Sequence, residues 1–143
     1  MAPPVALGDA DTIGTLMIPE DSSLASILPS LYVPSKGGQA IAIRRLDTLV
    51  ERPEIPAPAK IAIKIDVQGY EDKVLDGAEA TLRRAIVVLI EVSLVPTYVG
   101  EQDYLKILGR LADCGFRAVY FSPVISRKIY GECYQTDVLL VRR

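Results

Sequence analysis

Two carboxylates at the ends of neighbouring apolar segments are the residues best suited to chemistry in this chain. Asp66 ends the apolar stretch 61–66, and Glu91 stands at the end of a second apolar stretch, 86–92. A carboxylate at the C-terminal end of a parallel strand faces the crevice in which open α/β sheets bind their ligands. Two carboxylates that lie close together raise the pKa of one of them, as a general base requires. Asp66 and Glu91 are therefore the candidate catalytic residues.

The turn after the first stretch contributes further candidates. Gln68 and Gly69 shape this turn, and we expect Gly69 to supply a backbone conformation or a close approach that a side chain would forbid. Glu71 is better interpreted as a favourable charge in the first turn of the following helix than as a catalyst. Tyr98 and Tyr104 lie beyond the second apolar stretch, where an acceptor could enter, although aromatic residues at such sites more often belong to the core.

Structural roles would also account for both carboxylates. Asp66 could cap the helix that follows its strand, and Glu91 could face solvent or pair with Lys64. The strand ends of α/β sheets hold structural and functional acids alike. The residues by themselves leave this choice open.

The residues that are missing narrow the chemistry. The chain has no histidine and two cysteines, which excludes Ser-His-Asp catalysis, Cys-His catalysis and a histidine-based zinc site within it. Two cysteines far apart in the chain cannot supply a cysteine-type zinc site either. Acid–base chemistry must therefore fall to carboxylates, lysines or tyrosines, and we predict no metal.

Composition and charge indicate an ordinary globular protein. The chain has 143 residues, of which 50% are apolar and 24% charged, so it forms at most one domain with a real core. The net charge of −2 gives no electrostatic reason to expect nucleic acid or an anionic membrane as a partner. There is no basic-then-apolar leader and no apolar run long enough to span a bilayer. We therefore predict a cytoplasmic protein without a signal peptide.

Residues 60–143 show alternating strands and helices. Helical spacing predicts one helix over 70–84 and a second over 102–114, and apolar runs predict the strands between them. The order is β-α-β-α-β-loop-β, with strands at 61–66, 86–92, 116–121 and 134–141. Such alternation favours parallel pairing through right-handed crossovers. Because the last two strands have no helix between them, we expect an antiparallel hairpin at the sheet edge.

Residues 1–59 are richer in loops. The long loop 21–38 is of a kind that is either functional or mobile in a compact domain. Residues 52–59 carry three prolines and are interpreted as a stiff connector. The predicted elements of this half are strands at 5–7, 15–18 and 39–44 and one helical turn at 46–50.

One run of motifs stands out in the chain. The sequence I-K-I-D-V-Q-G-Y-E at 63–71 is followed by V-L-D-G-A and then by V-V-L-I-E-V. Upstream of it lie A-L-G-D, the triplet S-S-L and the segment R-L-D-T-L, in that order. Together these motifs resemble, in type and order, the C-terminal half of FkbM-type methyltransferases, enzymes that use S-adenosylmethionine (SAM) on a class I, Rossmann-like sheet. The similarity covers nearly the whole chain.

The resemblance implies a fold, a cofactor and roles for the candidate residues. The fold would be α/β, a mostly parallel class I methyltransferase sheet with a C-terminal antiparallel hairpin. Asp66 would lie beside the methionine end of SAM and the acceptor hydroxyl, and Asp9 near the adenine. Gln68 and Gly69 would belong to the same cofactor-binding turn. With Glu91 assisting deprotonation, the implied reaction is methyl transfer to a hydroxyl oxygen of a small molecule or sugar.

The chain departs from this family in its first half. The family's glycine-rich loop and the acid after its second strand have no counterpart, since a strand follows Gly37-Gly38. We therefore expect a single domain, 1–143, that begins near the family's third strand and is incomplete at its N-terminal half. The strand at 61–66 would then expose an edge that recruits a partner, so the alternative is a catalytically silent domain that forms a homodimer. A flavodoxin-like domain is less favoured, because the sequence shows no phosphate-binding loop.

Overall fold

A computed structural model describes residues 4–51, 60–126 and 133–143 of the chain. Within these ranges the chain forms two sheets, and every predicted strand is confirmed. The strands are β1 (Ala6–Leu7), β2 (Thr12–Ile18), β3 (Gly37–Arg44), β4 (Ile61–Ile65), β5 (Ala85–Ser93), β6 (Phe116–Ser126) and β7 (Cys133–Arg142). The helices are α1 (Leu46–Val50), α2 (Glu71–Asp76), α3 (Glu79–Arg84) and α4 (Tyr104–Asp113). The connector predicted at 52–59 lies outside the described residues.

The larger sheet has the strand order β4-β5-β7-β6, and its strand directions correct the predicted fold. β4 and β5 are parallel, but β7 lies between β5 and β6 and is antiparallel to both. The prediction of a mostly parallel sheet is therefore wrong for the described strands. β7 follows β6 without a crossover helix and therefore runs antiparallel to it. Because β7 lies between β5 and β6, it is antiparallel to β5 as well. The predicted C-terminal antiparallel hairpin, β6 with β7, is confirmed.

The first half of the chain forms a separate three-stranded sheet with the order β1-β3-β2. β2 and β3 are antiparallel along their length, and the short β1 pairs parallel with the end of β3. β2 and β3 are connected by a loop that contains one short 3₁₀ helix, Ser22–Leu24, and antiparallel pairing is open to strands joined in this way. The fold is α/β with mixed sheets.

The core lies between the larger sheet and the helices α2, α3 and α4. Side chains alternate along the strands, so one face of the sheet meets the helices while Lys64 on β4 stays exposed. β4 is an edge strand, and no strand within the described ranges pairs with its free side. That edge is the premise of the homodimer hypothesis, which stays a prediction. The buried core residues are Ile63, Ile65, Val74, Leu75, Ala78, Leu82, Ala85, Val88, Ile90, Val92, Ile107, Leu111, Phe116, Val138 and Leu140.

The single helix predicted over 70–84 is wrong: the segment forms two helices, α2 and α3, and Gly77 lies in the interruption between them. A Cβ at Gly77 would lie 1.9 Å from the backbone oxygen of Gly8, so only a glycine permits this backbone contact between the two halves. The Gly77 carbonyl accepts the backbone N–H of Asp47 at 2.9 Å. The N–H of Thr81, which would bond Gly77 in a continuous helix, donates instead to Asp47 Oδ1 at 2.8 Å. The prediction failed because residues distant in the chain replace the helical hydrogen bonds.

The second predicted helix, over 102–114, is confirmed as α4. Asp103 caps it, since Asp103 Oδ1 accepts the backbone N–H of Leu105 at 2.9 Å. Among the helices of the described residues, none combines the length and the apolar character needed to cross a membrane.

Candidate active site

The two predicted catalytic carboxylates lie at the same end of the larger sheet. β4 and β5 run parallel with Ile65 opposite Ile90, so Asp66 and Glu91 follow at neighbouring positions. The side-chain amide of Gln68 joins them, because its Nε2 lies 3.0 Å from Glu91 Oε1 and 3.4 Å from Asp66 Oδ1. The structure thus brings Asp66, Gln68 and Glu91 together at strand ends, the position at which open α/β sheets bind ligands.

Tyr98 fixes the direction of the Gln68 amide. The Tyr98 hydroxyl donates to Gln68 Oε1 at 2.8 Å, so the amide nitrogen is left to face the two carboxylates. Burial, reinforced by three nearby glutamates, raises the pKa of Tyr98 to about 12. The hydroxyl therefore keeps its proton at neutral pH and remains a donor. Tyr98 is 4% exposed, and it serves this site as well as the core to which sequence reasoning assigned it.

The turn between β4 and α2 has an uncommon backbone conformation. Gln68 has a φ of 55° and Gly69 a φ of 91°, and residues other than glycine rarely adopt this left-handed backbone conformation. A Cβ at Gly69 would also lie 2.9 Å from Cβ of Tyr98, which confirms the expectation that this position needs a glycine. Ser26 Oγ donates to the Gln68 carbonyl at 2.6 Å and anchors the turn from the first half of the chain. Strained turns of this kind are concentrated at functional sites.

Negative charge exceeds positive charge around the carboxylate pair. Lys64 Nζ lies 3.0 Å from Asp66 Oδ2, so Lys64 pairs with Asp66 at this distance rather than with Glu91. Asp137 on β7 stands opposite Glu91 in the strand register. Burial, followed by the charges of Asp66 and Asp137, raises the pKa of the Glu91 carboxyl above its ordinary value. A carboxylate whose pKa is raised in this way is a stronger base at neutral pH.

Glu71 is the residue whose importance sequence reasoning missed. It begins α2 as predicted, but its carboxylate turns back and accepts the backbone N–H of Gly69 at 3.1 Å. Burial raises the pKa of Glu71 to about 7, although backbone hydrogen bonds act in the opposite direction. The carboxyl therefore lies under the strained turn and titrates near neutral pH. Its position two residues after a turn glycine is the local signal that could have pointed to it.

A cavity of about 370 Å³ opens beside the carboxylate pair. Gln68 lines it and also contacts both carboxylates, so the cavity and the pair form one site. Part of the long loop predicted at 21–38 forms one wall, and the segment after β5 forms another. The volume is within the range of small-molecule sites. The apolar and aromatic lining residues are Leu24, Tyr32, Val33, Val95, Tyr98 and Tyr134.

Asp9 does not join this group. Its carboxylate lies 3.4 Å from Lys73 Nζ on α2, and no hydrogen bond or ion pair described for it reaches Asp66 or Glu91. The role near the adenine that the resemblance implies for Asp9 stays a prediction. Within residues 4–51, 60–126 and 133–143, no cluster of three or more cysteine or carboxylate side chains could hold a metal ion.

These features define an α/β protein with a cavity and two carboxylates at the ends of two parallel strands, and a family comparison then gives its class. A family model described as the methyltransferase FkbM domain matches residues 6–118, from β1 to the first residues of β6. The chain belongs to the FkbM methyltransferase domain family, which confirms the resemblance found in its motifs and indicates a methyltransferase. No curated protein and no solved structure matches the chain significantly.

Proposed function

We propose that this protein is a SAM-dependent methyltransferase that transfers a methyl group to a hydroxyl oxygen of a small molecule. The observation that carries the proposal is the carboxylate pair, Asp66 and Glu91, which Gln68 joins at the ends of two parallel strands. Family membership over residues 6–118 supports the transfer of a methyl group. The adjoining cavity supports a small-molecule acceptor.

The charges at the strand ends fit a cationic donor. Among the residues that the structure describes, Asp66, Glu91 and Asp137 are opposed here by one cation, Lys64, so a sulfonium or an ammonium group would be attracted. Bound SAM would supply a methyl group on a positively charged sulfur, so that the acceptor oxygen could bond to the methyl carbon as the carbon–sulfur bond breaks. Asp66 and the Gln68 turn would hold the methionine end, because they lie at the edge of the sheet where the cavity opens.

Glu91 is the candidate base. Its raised pKa suits it to accept the proton of an acceptor hydroxyl as the new carbon–oxygen bond forms. The Gln68 amide holds the Glu91 carboxylate in place, and Tyr98 holds the amide. Positioning of this kind supplies much of the rate of a displacement reaction, because the oxygen must lie in line with the departing sulfur.

Calorimetric titration with S-adenosylhomocysteine tests the proposal. We expect saturable binding by the intact chain and a loss of about tenfold or more in affinity for Asp66→Ala, since that substitution removes charge facing the ligand. Asp113→Asn is the matched control, because it removes an exposed carboxylate on α4, and its affinity should equal that of the original chain. Absence of saturable binding by the intact chain, or equal losses in both variants, would contradict the proposal.

A further inference from the structure

The walls of the cavity are tied together by the backbone. The N–H of Leu31 donates to the carbonyl of Thr97 at 2.9 Å, and the N–H of Val99 donates to the carbonyl of Pro29 at 2.8 Å. Glu101 secures the second wall by accepting the N–H of Thr97 at 2.8 Å. Walls fixed in this way do not need to be ordered when a ligand binds, which lowers the entropic cost of binding. The cavity is therefore preformed.

None of the described side chains that line the cavity carries a formal charge. Besides its apolar and aromatic members, the lining includes the four polar residues Ser30, Gln68, Thr97 and Gln135. Tyr98 is 4% exposed and marks the deep side, whereas Tyr32 is 69% exposed and marks the open side. An anionic ligand would lose its hydration here without gaining a counter-charge, which is an expensive transfer.

Each of the four polar residues of the lining already has a hydrogen-bond partner within the protein. Gln68 bonds to the carboxylates and to Tyr98. Ser30 Oγ accepts two backbone N–H groups, and Thr97 Oγ1 donates to Glu101 Oε2 at 3.2 Å. A ligand with many hydroxyls would find few free partners among these four side chains, and burying a hydroxyl without a partner is unfavourable. The lining therefore disfavours a free sugar.

From these observations we infer that the cavity binds the methyl acceptor as an uncharged, largely apolar compound with one hydroxyl group, such as a substituted phenol or an aliphatic alcohol. The inference rests on the proposed function, because it takes the cavity as the acceptor site of the methyl transfer. The hydroxyl lies at the Gln68 end, beside Glu91, and the apolar part packs against Val33 and Val95.

Three probes of similar size test this inference on the intact chain by calorimetry. They are para-butylphenol, its ionised analogue para-butylbenzoate, and methyl glucoside. We expect para-butylphenol to bind about tenfold or more tightly than either of the other two. Backbone amide NMR should locate its binding at the cavity, with shifts at Val33, Thr97 and Tyr98.

A substitution that fills the cavity provides the site-specific test. Val95→Trp places a large ring in the cavity at a residue that is 38% exposed, so the fold should tolerate it. Its affinity for para-butylphenol should fall about tenfold or more. Val119→Trp is the matched control, because Val119 on β6 is 46% exposed and does not line the cavity, and its affinity should be unchanged.

S-adenosylhomocysteine titrated into the same samples separates the two proposals. Suppose that S-adenosylhomocysteine binds, but the protein does not prefer para-butylphenol over the other two probes, or Val95→Trp binds para-butylphenol as tightly as Val119→Trp does. The acceptor class is then wrong, and the proposed function stands. Selective para-butylphenol binding that only Val95→Trp abolishes supports the inference. If para-butylphenol binds selectively and only Val95→Trp abolishes its binding, but S-adenosylhomocysteine does not bind, the proposed function is wrong. The cavity is then not the acceptor site of a methyl transfer.

Discussion

Two carboxylates, the buried Asp47 at the junction of α1 with α3 and the half-buried Glu71 in the turn after β4, have pKa values shifted in opposite directions. Burial opposes ionisation of Asp47, but hydrogen bonds from Thr81 and Ala80 and the charge of Arg45 outweigh it and lower the pKa of Asp47. Burial prevails at Glu71 and raises its pKa to about 7. The surroundings of Asp47 stabilise its charged form, whereas the surroundings of Glu71 destabilise its charged form.

The difference follows from the donors that each region provides. Asp47 accepts from the backbone N–H groups of Ala80 and Thr81 at 3.0 and 2.8 Å and from the Thr81 hydroxyl at 2.7 Å, which satisfies the start of α3. Glu71 has no cation beside it among the groups that shift its pKa, and Glu101 opposes its charge. The junction is thus built for stability, whereas the turn retains strain and an ill-matched charge. Such a combination is typical of functional sites.

The largest expected effect comes from breaking the junction. Asp47→Ala leaves two backbone N–H groups and the Thr81 hydroxyl without their acceptor, so we expect the free energy of unfolding to fall by about 3 kcal/mol. Urea unfolding at neutral pH measures this change.

The control for that prediction is Asp103→Ala, which removes a helix cap that is exposed and accepts one backbone N–H. We expect a loss of about 1 kcal/mol for it. Equal losses in the two variants would show that the junction is no more than an ordinary cap. Because the pKa of Asp47 is lowered, its stabilising effect should persist above its usual titration range and disappear as the pH falls through the lowered value.

The second prediction concerns the charge of Glu71. Its pKa rises from 4.5 in the unfolded chain to about 7 in the folded protein, so its favourable contribution is complete below 4.5 and is lost as the pH rises through 7. Glu71→Gln keeps the acceptor oxygen for Gly69 and cannot ionise. We expect it to be more stable than the original chain by about 2 kcal/mol at a pH of about 8, and equally stable at a pH of about 4.

Urea unfolding at the two pH values checks this difference. Glu79→Gln is the control, because Glu79 is an exposed first-turn acid of α3 and its removal should give no comparable pH dependence. A Glu71→Gln variant that is less stable than the original chain at the higher pH would mean that the carboxylate is well matched to its turn after all.

The smallest expected effect is on the amide that joins the carboxylates. Tyr98→Phe removes the hydroxyl that donates to Gln68 Oε1, so we expect a loss of stability of about 1 kcal/mol and a shift of the Gln68 side-chain NH₂ resonances in NMR spectra. Tyr120→Phe, at a 61% exposed residue on β6, should change neither quantity. Unmoved Gln68 resonances in Tyr98→Phe would show that the amide direction does not depend on Tyr98.

Prediction from sequence succeeded where the signal is local. The alternation of Ile61, Ile63 and Ile65 and the apolar run after Ala85 were sufficient to place β4 and β5, and the acids that follow were sufficient to place the pair. Local reasoning failed at Gly77, where a helix that is continuous by periodicity is broken by backbone contacts with Gly8 and Asp47. It also failed for the order of strands in the larger sheet, where β7 lies between β5 and β6 and pairs antiparallel with both, since apolar runs do not report which strand lies beside which.

The sequence by itself determined the two apolar strands, the acids at their ends, the glycine of the turn and the family to which the chain belongs, because each of these depends on neighbouring residues. Only the tertiary structure decided that Tyr98 holds Gln68 from 30 positions away, that the half-buried Glu71 accepts a hydrogen bond from the turn, and that the first half forms its own sheet. Those features depend on which distant groups exclude water from one another, and burial rather than residue type sets their hydrogen bonds and their pKa values.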